Sequence, residues 1–211
     1  MYVGRIVAVG RTNAGANAVI YRVSSRSFPN RQAVDNNGTI AVVPRPGAET
    51  DVMTNPYIAY NALRLAGGWA IATNGSHTDP IVEKVAGGTP VREALASCML
   101  AMDYEHDDLD TPRISAAVPE KGDTGWLAIV RKDALVVKEI ALQAGHAVYL
   151  ATYEADDIRD TQISAFDAAS AAEAAVFAVS GGAFADLEKP VTSAAALAGA
   201  MGFELGTFIV E

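Results

Sequence analysis

A chain of 211 residues, half of them hydrophobic and 19% charged, holds enough apolar material for one sizeable core and is unlike a disordered segment or a coiled coil. A net charge of −9 argues against nucleic acid as a partner, because a phosphate backbone demands broad basic surface. Cys98 is the lone cysteine, so neither an intramolecular disulfide nor a Cys-based zinc site is available. No apolar run approaches the ~20 residues that span a bilayer, and Met1–Arg5 lacks the apolar centre of a signal peptide. A single domain over residues 1–211 in the cytoplasm, with no membrane partner, is expected.

Short β-like runs fill the first third: Arg5–Val9, Ala18–Val23 and Thr39–Val43, with Asn-Gly and Pro-Gly turn signals between them. Ile58–Leu65 and Trp69–Thr73 follow, joined at Gly67-Gly68 as a tight hairpin. The period then changes. Thr78-Asp79-Pro80 reads as a capped helix start and Thr89-Pro90 as another, the second followed by Val91, Leu95, Cys98, Met99 and Met102 at helical spacing and ending near Asp103. Cys98 sits in this apolar stripe and reads as core packing, since a reactive thiolate needs a basic or polar setting. A second β block spans Ile114–Tyr153, with strands at Trp126–Val130, Leu135–Ile140 and Ala147–Tyr153. Ala168–Val179 reads as a helix stopped by Gly181-Gly182, Thr192–Leu197 as a further helix, and Leu205–Val210 as a last strand. Segregated blocks of strands and helices favour α+β, with two antiparallel sheets flanked by helices. The abundant small apolar residues also suit tight subunit packing, so a homo-oligomer is expected.

Four stretches carry chemistry. Tyr21–Arg31 packs Arg22, Arg26 and Arg31 with Ser24, Ser25 and Ser27 into a local basic segment of an acidic chain, which suits a small anion: guanidinium forks and hydroxyls meet phosphate oxygens well. Asp103–Arg113 gathers five carboxylates with His106 and Arg113 just after a buried helix. Its spacing matches neither an EF-hand nor a His-Glu-x-x-His site, so acid/base use ranks above metal binding, and crowding suits Glu105 or a neighbour to proton transfer near neutral pH. Asn55–Asn61 and Ala72–Pro80 are rich in amides and hydroxyls, able to read or stack on a heterocycle. Of the histidines, His77 is open between acid/base, phosphate and surface roles, and His146 reads as structural.

Tyr-Arg-Val-Ser-Ser-Arg-Ser-Phe-Pro-Asn-Arg at 21–31, Asn-Pro-Tyr-Ile-Ala-Tyr-Asn-Ala-Leu-Arg at 55–64, Thr-Asn-Gly-Ser-His-Thr-Asp-Pro-Ile at 73–81 and Asp-Tyr-Glu-His-Asp-Asp-Leu-Asp-Thr-Pro-Arg-Ile at 103–114 together resemble the archaeal type of inosine monophosphate cyclohydrolase, over nearly the whole chain. The resemblance implies closure of 5-formamidoimidazole-4-carboxamide ribonucleotide to IMP with loss of water, a purine nucleotide as partner, and no cofactor or metal. It also implies the four-layer αββα sandwich of the N-terminal nucleophile hydrolases. That fold's covalent chemistry needs Cys, Ser or Thr as first mature residue, whereas this chain begins Met1-Tyr2, so a non-covalent acid/base mechanism is expected.

On that reading Arg22, Arg26 and Arg31, with Ser24 and Ser25, hold the 5′-phosphate or the forming oxyanion, and Arg22 is the arginine favoured for the chemistry. Tyr60 and Asn61 face the imidazole carboxamide, Asn74 reads the ring edge, His77 supports binding, and Glu105 transfers the proton. A nucleotide or amide hydrolase of the same fold, or a non-catalytic purine-nucleotide-binding protein, are the alternatives.

Overall fold

The computed structural model describes residues 1–159 and 161–211. The described residues form two sheets in which every neighbouring pair is antiparallel. The strands are β1 Arg5–Arg11, β2 Asn17–Ser24, β3 Arg31–Asp35, β4 Thr39–Pro44, β5 Tyr60–Ala66, β6 Trp69–Thr73, β7 Arg113–Pro119, β8 Thr124–Arg131, β9 Ala134–Ala141, β10 His146–Ala151, β11 Ile163–Ala165, β12 Pro190–Gly199 and β13 Gly202–Ile209. The helices are α1 Asp51–Thr54, α2 Thr78–Ala86, α3 Val91–Met102 and α4 Ala171–Ser180. One sheet has the order β11-β10-β1-β2-β12-β13, the other β3-β4-β5-β6-β7-β8-β9.

Alternation along each strand separates three apolar layers. Val7, Val9, Val19, Tyr21 and Val23 face the second sheet and meet Ala62, Ile114, Ala116 and Leu127 there. The opposite face of the same strands, through Ile6, Ala8, Ala18 and Ile20, packs on Ala171, Ala174, Ala175 and Ala178 of α4. On the far side of the other sheet, Ile71, Ala117, Ala128 and Val130 receive Ile81, Val82 and Val85 of α2 and Leu95, Cys98 and Met99 of α3. Cys98 is buried there, and its thiol is pushed up by that burial, as core packing predicts.

Most expected elements are present. Gly67 and Gly68 both have positive φ, as a two-residue hairpin between β5 and β6 requires. Two expectations change, and two strands were not foreseen. Residues 192–197 are not helical: they form the middle of β12, hydrogen-bonded between β2 and β13. The run Pro-Val-Thr-Ser-Ala-Ala-Ala-Leu-Ala-Gly is buried on both faces, so it lacks the polar alternation that marks a strand, and alanine composition alone favours helix. Asp79 is no cap: it lies in the first turn of α2 and accepts from Asn61 Nδ2 at 2.9 Å and Arg64 Nη1 at 2.8 Å. Strands β3 and β11, short and at sheet edges, carry too few residues to show a period.

The alanines let α4 lie close to its sheet. A Cβ at Gly206 of β13 would stand 2.3 Å from the backbone carbonyl of Ala171. Gly206→Ala therefore pushes α4 off the sheet and lowers stability by ~1–3 kcal/mol, read as a drop in the denaturant midpoint; an unchanged midpoint would show that α4 does not rest on β13.

Candidate active site

At one end of the sandwich the start of β1, the loop from β2 into β3, the residues before β5 and the loop from α3 into β7 surround a cleft of about 330 Å³. Arg5, Ser25, Ser27, Phe28, Arg31, Glu105 and Tyr153 line it. Gly4 has φ +71, and a Cβ there would meet Thr152 Oγ1 and the Tyr153 ring, so only glycine lets the chain enter β1 under that ring. The loop 103–112 is pinned at both ends. Asp103 closes α3 with φ 55, Glu105 N–H donates to Thr111 O at 2.8 Å, and Thr111 Oγ1 donates to Asp107 Oδ2 at 2.7 Å and lies 2.8 Å from the Tyr153 hydroxyl.

Glu105 is 1% exposed and stands between two guanidinium groups, Arg5 Nη2 at 3.4 Å from Oε2 and Arg113 Nη1 at 3.4 Å from Oε1. Burial raises its pKa above the ordinary carboxylate value, with Asp107 acting in the same sense, against the pull of Arg5, Arg113 and Arg31. Arg113 is fixed through Nε to Asp103 O at 2.8 Å. Burial works against the charge on Arg5, yet Glu105 and the phenols of Tyr60, Tyr21 and Tyr153 raise its pKa on balance. Arg31 is 3% exposed, and only its Nε has a partner among the described residues, the Phe28 carbonyl at 3.1 Å. Burial lowers its pKa, and its remaining donors are left for an anion in the cleft. Behind it, Tyr21 and Tyr60 meet across the sheets, hydroxyl to hydroxyl at 2.5 Å with rings edge to face. One hydroxyl donates to the other, which leaves one phenolic proton for a third group.

The structure brings Glu105, Arg31 and Ser25 to the cleft and sets Tyr60 behind them. It does not bring Arg22, Ser24, Asn61 or Asn74 there. Arg22 lies on the α4 face of β2, fully buried. It donates from Nε to Ser24 Oγ at 3.0 Å, from Nη1 to Phe184 O at 2.8 Å and to Ala178 and Val179 carbonyls at 3.3 Å, and from Nη2 to Leu187 O at 2.7 Å. It thus caps the C-terminal end of α4, where a cation complements the exposed carbonyls; burial lowers its pKa to about 10, still charged at neutral pH. Asn61 points to Asp79 on the α2 side, because it follows the inward Tyr60. Asn74 is spent on backbone, Nδ2 to Pro112 O at 3.0 Å and Oδ1 from Ile114 N–H at 2.8 Å. Arg26 is exposed, paired with Glu188 at 3.0 Å and lying over the Tyr2 ring at the cleft's rim. His77 is neither a surface group nor in the cleft: it is fully buried behind Arg113.

Sequence reasoning passed over Arg5, Tyr21 and Arg113 as site residues. A lone arginine opening a strand carries no local signal, but Tyr21 and Arg113 lie inside the stretches already singled out, and strand alternation would have exchanged Arg22 for Tyr21. The acidic cluster disperses on folding: Asp107 is taken by Thr111, Asp110 by Lys132, and Asp103 by the Tyr104 amide. Among the described residues no three His, Cys, Asp or Glu side chains converge as a metal site.

The raised pKa of Glu105 fixes a pH dependence. A group whose folded pKa exceeds its unfolded one contributes stability that is fully present below the unfolded pKa and is lost as pH rises through the folded value. Ionised Glu105 is thus a net cost at neutral pH. Glu105→Gln is expected to melt above the native chain at pH 7, the difference closing below about pH 4, where both states hold the proton; equal melting curves at pH 7 would overturn this.

Residues 2–201 match the family model described as IMP cyclohydrolase-like protein. Relatives named IMP cyclohydrolase include one from Methanococcus maripaludis, strain S2, 43% identical over 98% of this chain and 100% of its own length. One from Methanosphaera stadtmanae is 43% identical over 93% and 94%, and one from Halobacterium salinarum, strain R1, is 48% identical over 83% and 82%. With a family match across nearly its whole length and relatives of this similarity, the chain belongs to the IMP cyclohydrolase-like family.

Proposed function

We propose that the chain, as a single domain over residues 1–211, is an IMP cyclohydrolase that closes 5-formamidoimidazole-4-carboxamide ribonucleotide to IMP and water, and that its layers are the αββα sandwich of the N-terminal nucleophile hydrolases. The observation that carries the reading is the buried carboxylate of Glu105, the one such acidic group among the described residues, flanked by Arg5 and Arg113 in a cleft that also presents the half-free Arg31. Asp107 and Asp108 also border the cleft, so its carboxylates balance Arg5, Arg31 and Arg113 in number; what suits a nucleotide monophosphate is local, the guanidinium donors that Arg31 leaves unused by protein.

The carboxamide nitrogen attacks the formyl carbon, and the carbonyl electrons move onto oxygen. Glu105 takes the proton that this nitrogen sheds and returns it to the new oxyanion, giving the carbinol. In the second half the former formamido nitrogen loses its proton, the C=N bond forms, and the carbinol oxygen leaves with a second proton as water. A carboxylate whose pKa is raised is suited to both directions of transfer. Both reacting groups sit on one molecule, so holding them in the attack geometry supplies much of the acceleration. Arg31, with the Ser25 and Ser27 hydroxyls, holds the 5′-phosphate, while Arg5 and the spare phenolic proton of the Tyr21–Tyr60 pair face the developing oxyanion. Arg22 and Ser24, engaged with α4, have no part in it.

The test incubates the enzyme with the formamido ribonucleotide in metal-free buffer and follows the absorbance of the hypoxanthine ring. Expected is turnover that falls 10²–10⁴-fold in Glu105→Gln, with KM little changed, and a raised KM in Arg31→Met. Arg22→Met is expected to lower stability by roughly 3 kcal/mol through the orphaned carbonyls, with kcat of the folded fraction intact. Product formation from a substrate without the carboxamide would favour a hydrolase, and IMP binding without turnover a nucleotide-binding protein.

A further inference from the structure

His77 is a buried group for which the roles above have no use. Its Nε2 lies 3.1 Å from the Ile114 carbonyl, which only accepts, so Nε2 carries the ring proton and Nδ1 is a bare lone pair. That Nδ1 has no partner among the described residues. An unmet buried acceptor is costly, and its direction is informative. A methyl at Gly75 would stand 2.9 Å from Arg113 Nη1, 3.2 Å from Glu105 Oε1 and 3.3 Å from His77 Nδ1, so these three polar atoms surround one niche with the Gly75 Cα as its floor. The turn that shapes it is bolted down: the Gly75 carbonyl accepts from Thr73 Oγ1 and Thr78 Oγ1 at 3.0 Å each.

We propose that His77 is a positioning residue of this reaction: its bare Nδ1 is the alternative acceptor to which Arg113 Nη1 turns when Glu105 takes up a proton, across a niche that the absent side chain at Gly75 keeps open. The inference rests on the cyclohydrolase reading for its catalytic meaning, though not for the switch itself. With Glu105 ionised, Arg113 Nη1 donates to Oε1 across a long 3.4 Å. Once the carboxyl is protonated that bond loses its charge, and the guanidinium, anchored through Nε to Asp103 O, has His77 Nδ1 on the same Gly75 niche as a second acceptor. The protonated enzyme is thereby spared an unmet buried donor at the step where Glu105 must hold a proton. Burial, then Arg113, lowers the His77 pKa to about 3, so the ring stays neutral and an acceptor through the whole working range. The other ionisable groups facing Glu105 are Arg5 from β1, Arg31 from β3 and Asp107 from its own loop; none offers Arg113 a neutral acceptor.

The test reads the switch in the intact chain. The ¹⁵N shift of His77 Nδ1 is followed through the titration of the Glu105 ¹³C carboxyl resonance, assigned with Glu105→Gln. Expected is a move of Nδ1 toward its hydrogen-bonded value at the pH where Glu105 protonates; an Nδ1 shift flat across that pH overturns the proposal and needs no variant to fold. In His77→Phe the protonated carboxyl loses this support, so the Glu105 titration and the acid limb of kcat/KM move down by about one pH unit, and kcat falls about tenfold with KM unchanged, the worth of one net hydrogen bond. His77→Asn, which restores an acceptor near Nδ1, recovers part of the loss. A folded His77→Phe with native titration and rate also overturns it, whereas native chain inactive on the formamido ribonucleotide, with the Nδ1 switch present, removes the cyclohydrolase reading alone.

Discussion

The two-residue period of β2 governs both the architecture and the site. Central in its sheet and buried on both faces, this strand sends Val19, Tyr21 and Val23 toward the second sheet and Ala18, Ile20, Arg22 and Ser24 toward α4. The two polar residues at its end therefore do unrelated work back to back. Arg22 ties α4 and the turn after it to the sheet; Tyr21 reaches through the inter-sheet core to Tyr60. A one-residue slip in register would put a guanidinium into the apolar layer and a phenol under a helix end, which strongly favours the observed pairing.

From that frame the chemistry of Glu105 follows. Its carboxylate is carried on a loop, yet the loop is held by the Glu105–Thr111 bridge and by Thr111 against Asp107 and Tyr153, so a loop residue acquires the placement of a core one. Two guanidinium groups at 3.4 Å are close enough to stabilise charge but too far for tight, saturated pairing. Burial then outweighs them, and the pKa rises. A shorter bidentate pair would have lowered it.

Much of the fold was legible in the residues, because most strands are bounded by turn signals and α2 and α3 show a clean apolar stripe. What failed did so for definite causes. In Thr192–Leu197 small apolar residues buried on both faces erase the periodicity that separates strand from helix, and the ladder with β2 and β13, invisible locally, decides the matter. The site was legible at the level of segments: residues 21–31 and 103–113 both border the cleft. Within them, side-chain direction was the missing quantity. Taking Arg22 for the chemistry treated a cluster in sequence as a cluster in space, whereas neighbours along a strand lie on opposite faces. Arg5 comes from far away in the chain, and only the pairing of β1 with β2 and β10 brings it beside Glu105.

The same buried charges set a limit on how stable this end of the molecule can be. Arg31 is enclosed with most of its donors unmet by protein, and Glu105 is ionised at a cost, so the cleft opposes folding while the three apolar layers favour it. An anion entering beside Arg31 would supply the acceptors that the protein withholds, and its binding would relieve a cost already met on folding. The chain carries −9 overall and Asp107 and Asp108 border the cleft, so Arg31 presents its unmet donors as an isolated basic group rather than as part of a broad basic surface. Such a charge distribution disfavours a polyanion, which needs broad basic surface.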